Sequence, residues 1–226
     1  MRVRSLHRWD LSPREAADLQ SQLAPQIITE GAPADVRLIA ASDVAFVDRP
    51  YRRRPSLARA AVVLLSYPDL DLVEQQAIEA PTEFPYVPGL LSFREIPALA
   101  QAFEQLERTP DLLLVDGQGR AHPRRFGLAS HLGLLLDVPT IGVAKSRLIG
   151  EHAEPGQRRV ASTPLTHDGE RIGTVLRTRD SVRPLYVSVG HRISLESATE
   201  WTLRLCTHYR LPEPIRLADR LSKQGR

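Results

Sequence analysis

Apolar residues recur along this chain in two rhythms, one matching a helical turn and one running on without a break. Ala16, Leu19 and Leu23 stand at helical spacing. Ahead of them, Ser12-Pro13-Arg14-Glu15 has the capping-box pattern, with proline at a first helical position that needs no N–H. Val36 to Val47 reads as a first strand, and Ala60 to Leu65 as a second, buried one. Tyr67-Pro68-Asp69 signals a turn, after which Asp71 to Glu79 gives a more polar third strand. Strands joined by such short turns imply an antiparallel meander.

The rhythm changes after Pro81. Phe84-Pro85-Tyr86-Val87-Pro88-Gly89 carries too many prolines and glycines for regular structure. Ser92 and Glu95 repeat the capping-box spacing and predict a helix to about Glu107, with Pro97 acceptable only near its first turn. Asp111 to Asp116 is an apolar strand of the kind covered on both faces; it ends in a carboxylate and runs into Gly117-Gln118-Gly119. A helix from Phe126 to Leu136 leads to the strand Thr140 to Val143, an order that implies a parallel pair with a right-handed crossover. Glu151 to Arg159 reads as irregular. Arg171 to Arg177 and Leu185 to Val189 read as strands, and Ser194 to His208 as an amphipathic helix. A short helix after Pro212 and Pro214 ends near Ser222. The expected fold is α/β: a mixed sheet, antiparallel first and parallel later, flanked by helices, in one domain over residues 1–226.

Composition narrows the class. With 42% hydrophobic and 25% charged residues, the 226-residue chain has the make-up of a globular protein, and no apolar run approaches the ~18 residues of a membrane span. Its first ten residues lack a signal-peptide core, and one cysteine, Cys206, excludes both an intrachain disulfide and a cysteine-based zinc cage. A cytosolic, membrane-free setting is expected. Of the 30 basic side chains only Lys145 and Lys223 are lysines, so 30 less 2 leaves 28 arginines. Base composition explains such a bias, and so does phosphate contact, because guanidinium matches phosphate oxygens in a two-point fork.

Three carboxylates stand out. Asp43 interrupts the apolar run from Leu38 to Phe46, Asp116 ends the most apolar strand, and Glu95 lies at a helix start. A buried strand carboxylate needs a cation or several donors. Sites in open α/β sheets also lie beyond the carboxyl ends of strands. Each position has an ordinary alternative: a solvated face for Asp43, a turn for Asp116, a cap for Glu95. Brought together, the three would form an all-oxygen site suited to Mg²⁺ or Mn²⁺. Lys145-Ser146-Arg147 follows the next parallel strand and so shares an edge with Asp116, while His122-Pro123-Arg124-Arg125 and Arg52-Arg53-Arg54 add local charge. The histidines have no zinc-ligand spacing, and the glycines form neither a dinucleotide fingerprint nor a phosphate loop.

Several segments together resemble the endonuclease V family of ribonuclease-H-like nucleases. They are His7-Arg8-Trp9-Asp10-Leu11, Ala41-Ser42-Asp43-Val44-Ala45-Phe46, the run from Pro85 through Phe93-Arg94-Glu95, Val115-Asp116-Gly117-Gln118-Gly119 with His122 to Gly127, and Pro139 to Ser146. The resemblance implies a ribonuclease-H-like mixed sheet with Asp43 and Asp116 as Mg²⁺ ligands (Mn²⁺ substituting), Glu95 as a further one, and Asp219 at a late position that varies in the family. It implies Lys145 and His122 as catalytic helpers. Tyr86, Val87 and Pro88 would form a wedge entering the duplex, and Gly89, Leu91, Gly127 and Leu128 a pocket for the displaced base. The implied reaction is hydrolysis of the second phosphodiester bond 3′ to deoxyinosine in DNA, by a monomer. Nicking of inosine in RNA is the second reading, and lesion binding without catalysis the third. Lys223, near the C-terminus, is expected to be a surface residue.

Overall fold

The computed structural model describes residues 1–47 and 56–224. Helix α1 (Pro13–Leu23) begins with the predicted capping box: the Ser12 hydroxyl accepts from Glu15 N–H, and the Glu15 carboxylate accepts from Ser12 N–H. Strands β1 (Leu38–Val47), β2 (Ser56–Ser66) and β3 (Leu72–Thr82) form the antiparallel meander. Helix α2 (Leu91–Glu104) leads to β4 (Leu112–Val115), and α3 (Leu128–Leu136) to β5 (Thr140–Ala144). Both β4 and β5 run parallel to β1.

The second half differs from expectation. Strands β6 (Ser162–His167), β7 (Glu170–Leu176) and β8 (Leu185–His191) form a second antiparallel set, and β8 pairs with β5. The sheet therefore has eight strands in the order β3-β2-β1-β4-β5-β8-β7-β6, a ribonuclease-H-like mixed sheet with antiparallel strands at both edges. Strand β6 was not predicted. It contains Pro164 and buries fully only Leu165, a weak pattern that an edge strand tolerates because proline's missing N–H faces no partner.

Helices α4 (Leu195–Leu205) and α5 (Glu213–Lys223) complete the chain. Alternation along the central strands splits the core into two layers. Ile39, Ala41, Leu112 and Leu114 pack with Ala198 of α4 and Ile215, Ala218 and Leu221 of α5. Ala40, Leu113 and Val115 pack instead with Ile96 and Leu99 of α2 and Leu132 of α3. Such two-sided burial explains why β4 reads as an unbroken apolar run. Among the described residues no helix is long and apolar enough to cross a membrane.

Candidate active site and metal centre

The parallel register of β1 and β4 pairs Ser42 with Val115, so Asp43 and Asp116 are the next residues on two adjacent strands. Asp43 continues the alternation of Ile39 and Ala41, and Asp116 that of Leu112 and Leu114, toward the layer occupied by α5. Docking of α5 adds Asp219. One oxygen from each of Asp43, Asp116 and Asp219 lies within 4.8 Å of the other two. Carboxylates this close repel one another unless positive charge stands between them.

Two lysines and a serine supply the compensation. Lys145 Nζ lies 2.5 Å from Asp116 Oδ2 and 3.1 Å from Asp219 Oδ1. Lys223 Nζ reaches the same Asp219 oxygen at 2.7 Å. Ser222 Oγ, buried in the last turn of α5, donates to Asp43 Oδ2 at 2.6 Å. Burial raises the pKa of Asp116; Lys145 pulls it back, and the Asp43 and Asp219 charges push it further up. Burial would raise Asp219 too, but Lys223 and Lys145 outweigh it and its pKa is lowered. Burial works against the Lys145 ammonium, yet Asp116 and Asp219 hold it charged and raise its pKa.

Glu95 sits differently from the sequence reading. Helix α2 begins at Leu91, with Leu90 as N-cap and no side-chain capping bond, so Ser92 and Glu95 form no capping box. The preceding turn feeds directly into the helix through Leu90 N–H to Val87 O and Phe93 N–H to Leu90 O. Glu95 instead turns inward, 7% exposed. Its pKa lies well above the usual range because of burial first, then the charges of Asp43 and Asp116. It stands beside the three-carboxylate group without belonging to it.

The proline-punctuated segment forms a loop between β3 and α2 that carries Tyr86 into solvent, 72% exposed. Behind it, Gly89 adopts φ +79°, and a Cβ there would press on Arg124 Nη2 at 3.1 Å and His122 Nε2 at 3.3 Å. Three donors converge on its carbonyl: His122 Nε2 at 2.8 Å, Arg124 Nη2 at 3.0 Å and Gln20 Nε2 at 3.1 Å. Gln20 also donates to Phe126 O and accepts from Arg124 Nε. His122 therefore contacts the loop and, among the described residues, makes no hydrogen bond or ion pair with the carboxylates, although it lines the same cavity. Burial lowers its pKa to about 4, which keeps it neutral, and its Nδ1 accepts from Arg124 N–H.

A cavity of about 450 Å³ joins the two halves. Tyr86, Val87, Pro88, Gly89, Leu91 and Leu128 line it together with Asp43, Asp116 and Lys145. Gly127 is not on its wall; it caps α3, where a Cβ would collide with the Gln118 carbonyl. Gly119 is equally confined, against the Val189 carbonyl.

Most arginines near the site are committed to protein partners. Arg120 and Arg125 both pair with Glu170, and Arg177 holds Glu154 and the carbonyls of Pro155, Gly156 and Val182. Arg147 and Arg183 are exposed, face one groove beside Lys145, and pair with no carboxylate among the described residues. Arg52-Arg53-Arg54 lies outside the described residues.

Sequence reasoning missed Gln20, Ser222 and the contact of Lys223 with Asp219. Nothing in the sequence marks Gln20. Ser222 and Lys223 follow Asp219 at i+3 and i+4, which puts all three on one helix face.

The profile of the endonuclease V family matches residues 21–220. An endonuclease V from Alkalilimnicola ehrlichii is 53% identical over 222 residues, covering 97% of this chain and 95% of its own. The crystal structure of endonuclease V from Streptomyces avermitilis superposes with a TM-score of 0.88 at 42% identity, covering 98% of this chain and 96% of its own. A Ciona intestinalis endonuclease V (D234N), solved with a 23mer DNA containing an inosine followed by a ribo-adenosine, superposes with a TM-score of 0.81 at 29% identity, covering 94% and 97%. Sequence and architecture agree along nearly the whole length, and the chain belongs to the endonuclease V family of hydrolytic nucleases.

Proposed function

We propose that this chain is a cation-dependent DNA repair nuclease, acting as a single domain and a monomer in the cytosol. It hydrolyses the second phosphodiester bond 3′ to deoxyinosine and leaves the lesion on the nicked strand. One observation carries the reading: a single cavity is lined both by an exposed, proline-flanked aromatic loop and by paired aspartates with a lysine. A site that held a base and cut the backbone beside it would need both.

The donor set fits a hard divalent cation. Asp43, Asp116 and Asp219 offer only oxygen ligands, within 4.8 Å of one another, which suits Mg²⁺ with Mn²⁺ as substitute. These three would hold it, with Glu95 behind them acting through water. Bound there, the cation would place positive charge on the scissile phosphate and acidify the attacking water.

The remaining roles belong to the chain itself. Lys145 orients the water and balances charge on the phosphate, because its ammonium already lies among the carboxylates. Tyr86 stacks where the lesion has left the helix, which costs a few kcal/mol, less for a weakly paired base such as hypoxanthine. Backbone groups of Gly89, Leu91 and Leu128 read the hypoxanthine edge, and neutral His122 keeps Gly89 in place. Arg147 and Arg183 contact phosphates along the groove beside Lys145.

The test is a labelled duplex with one deoxyinosine, incubated with Mg²⁺ and mapped at single-nucleotide resolution. A nick one nucleotide beyond the lesion's own 3′ bond, lost in Asp43→Ala and with EDTA, is expected. No nick, or equal nicking by Asp43→Ala, refutes the reading. Inosine in RNA remains the second reading, favoured by the ribo-adenosine after the inosine in the Ciona complex. Direct competition between matched DNA and RNA strands separates them.

A further inference from the structure

Both lysines of the chain converge on one oxygen. Lys145 Nζ and Lys223 Nζ lie 3.1 Å and 2.7 Å from Asp219 Oδ1. The other 28 cations are arginines, and none of them contacts Asp43, Asp116 or Asp219 by hydrogen bond or ion pair among the described residues. Lysine differs from arginine in the way that matters here. Its charge is compact, and its flexible stem lets it vacate an oxygen that a rigid guanidinium fork would hold at two points.

Lys145 is tied to Asp116 as well as Asp219 and points into the cavity. Lys223 has no such second tie among the described residues. It is half-exposed, it lies one turn after Asp219, and it is absent from the cavity wall. Its neighbour Ser222 meanwhile fixes Asp43. One turn of α5 thus holds two of the three carboxylates.

We infer that Lys223 is a positioning residue of the cation site: its ammonium holds Asp219 Oδ1 and must yield that oxygen when a divalent cation takes it. Lys223 thereby sets how tightly the site binds the cation. This rests on the cation-dependent reading above. An ordinary i,i+4 ion pair on a helix surface would instead steady α5 by a few tenths of a kcal/mol and leave cation affinity alone.

The experiment uses the full chain with Mn²⁺ alone, without nucleic acid, and reads free Mn²⁺ by its paramagnetic resonance signal. Lys223→Gln removes the competing charge, and its Mn²⁺ Kd is expected to fall about fivefold at low salt, the scale of one screened charge beside a dication. Lys223→Arg keeps the charge and is expected to bind at least as weakly as the unmodified chain. Both substitutions are at an exposed helix end, and thermal melts check that each variant folds. A Lys223→Gln affinity within twofold of the unmodified chain overturns the inference while leaving the cation site intact. No Mn²⁺ uptake by the unmodified chain overturns the cation-dependent reading, and this inference falls with it.

Discussion

Replacing Gln20 by methionine tests whether the Tyr86 loop works as a braced wedge. Gln20 is 1% exposed and spends both ends of its amide on the site: Nε2 donates to Gly89 O and Phe126 O, and Oε1 accepts from Arg124 Nε. Methionine keeps the volume and removes all three bonds. Gly89 O retains His122 and Arg124 as donors, but Phe126 O and Arg124 Nε lose their partner. Orphaning the buried Phe126 carbonyl costs about 1–3 kcal/mol, while the half-buried Arg124 Nε can turn to water, so stability should drop by roughly 1–3 kcal/mol. For a chain of this size that lowers Tm by about 2–12 °C. The functional effect is smaller and more specific. If the freed loop holds its cavity-facing form only about a tenth of the time, apparent affinity for the lesion falls about tenfold. Gln20 makes no hydrogen bond to Asp43, Asp116 or Lys145, so turnover at saturation should stay within about twofold. Steady-state nicking of an inosine duplex gives both parameters, and binding to an undamaged duplex supplies the control. A collapse of kcat with KM unchanged would refute the argument, because Gln20 would then act on the chemistry. An unchanged KM in a destabilised variant would show that the wedge needs no brace.

Lys145→Arg should keep DNA binding and lose most nicking, since a guanidinium cannot occupy the same point between Asp116 and Asp219; single-turnover assays decide, and unchanged turnover sinks the role given to Lys145. The double variant Arg147→Ala/Arg183→Ala should flatten the plot of log affinity against log salt by about 1–2, one step per lost phosphate contact, while turnover of bound substrate persists; an unaltered slope would remove the groove from the DNA path. His131 is buried among His7, Trp9, Phe93 and Phe126, and its pKa is held well below the ordinary 6.5 by burial first and then by His7. A histidine with a lowered folded pKa contributes fully above the unfolded value and loses stability as pH falls below it. Unfolding free energy of the unmodified chain minus that of His131→Gln should therefore fall by about 1 kcal/mol between pH ~6.5 and ~5.5. A difference flat across that window would mean that His131 takes up its proton equally in the folded and unfolded chain.

How far the sequence revealed the fold depended on the strength of each local pattern. Continuous apolar runs located β2, β4 and β5, and a true capping box located α1, because burial and capping leave their mark on consecutive residues. Strand β6 escaped because an edge strand holding Pro164 needs almost no apolar signal. The Ser92/Glu95 spacing misled for a related reason. A capping box and an inward-facing helical carboxylate have the same spacing, and only the turn from Val87 to Leu90 shows which is present. Gln20 gave no signal, since a buried glutamine is recognised only by the carbonyls it meets, and those come from residues 89 and 126.

Much of the site could be read because carboxylates on apolar strands are chemically conspicuous, whereas their meeting could not. Asp43 and Asp116 come together through the β1/β4 register alone. Asp219 comes from the opposite end of the chain and joins them only when Ile215, Ala218 and Leu221 bury α5 in the layer below. Those three apolar residues carry the helix, and the carboxylate, the Ser222 hydroxyl and the Lys223 ammonium ride on its other positions. Assembly of the carboxylate group is thus coupled to docking of the last helix. The repulsion that three aspartates create is paid where it arises, by one lysine from the β5 edge and one from α5 itself. A chain whose other 28 basic positions are all arginine has lysine at these two. On the inference drawn for Lys223, the carboxylates need positive charge that can later move aside, a role that a flexible ammonium fills and a two-point guanidinium fork does not.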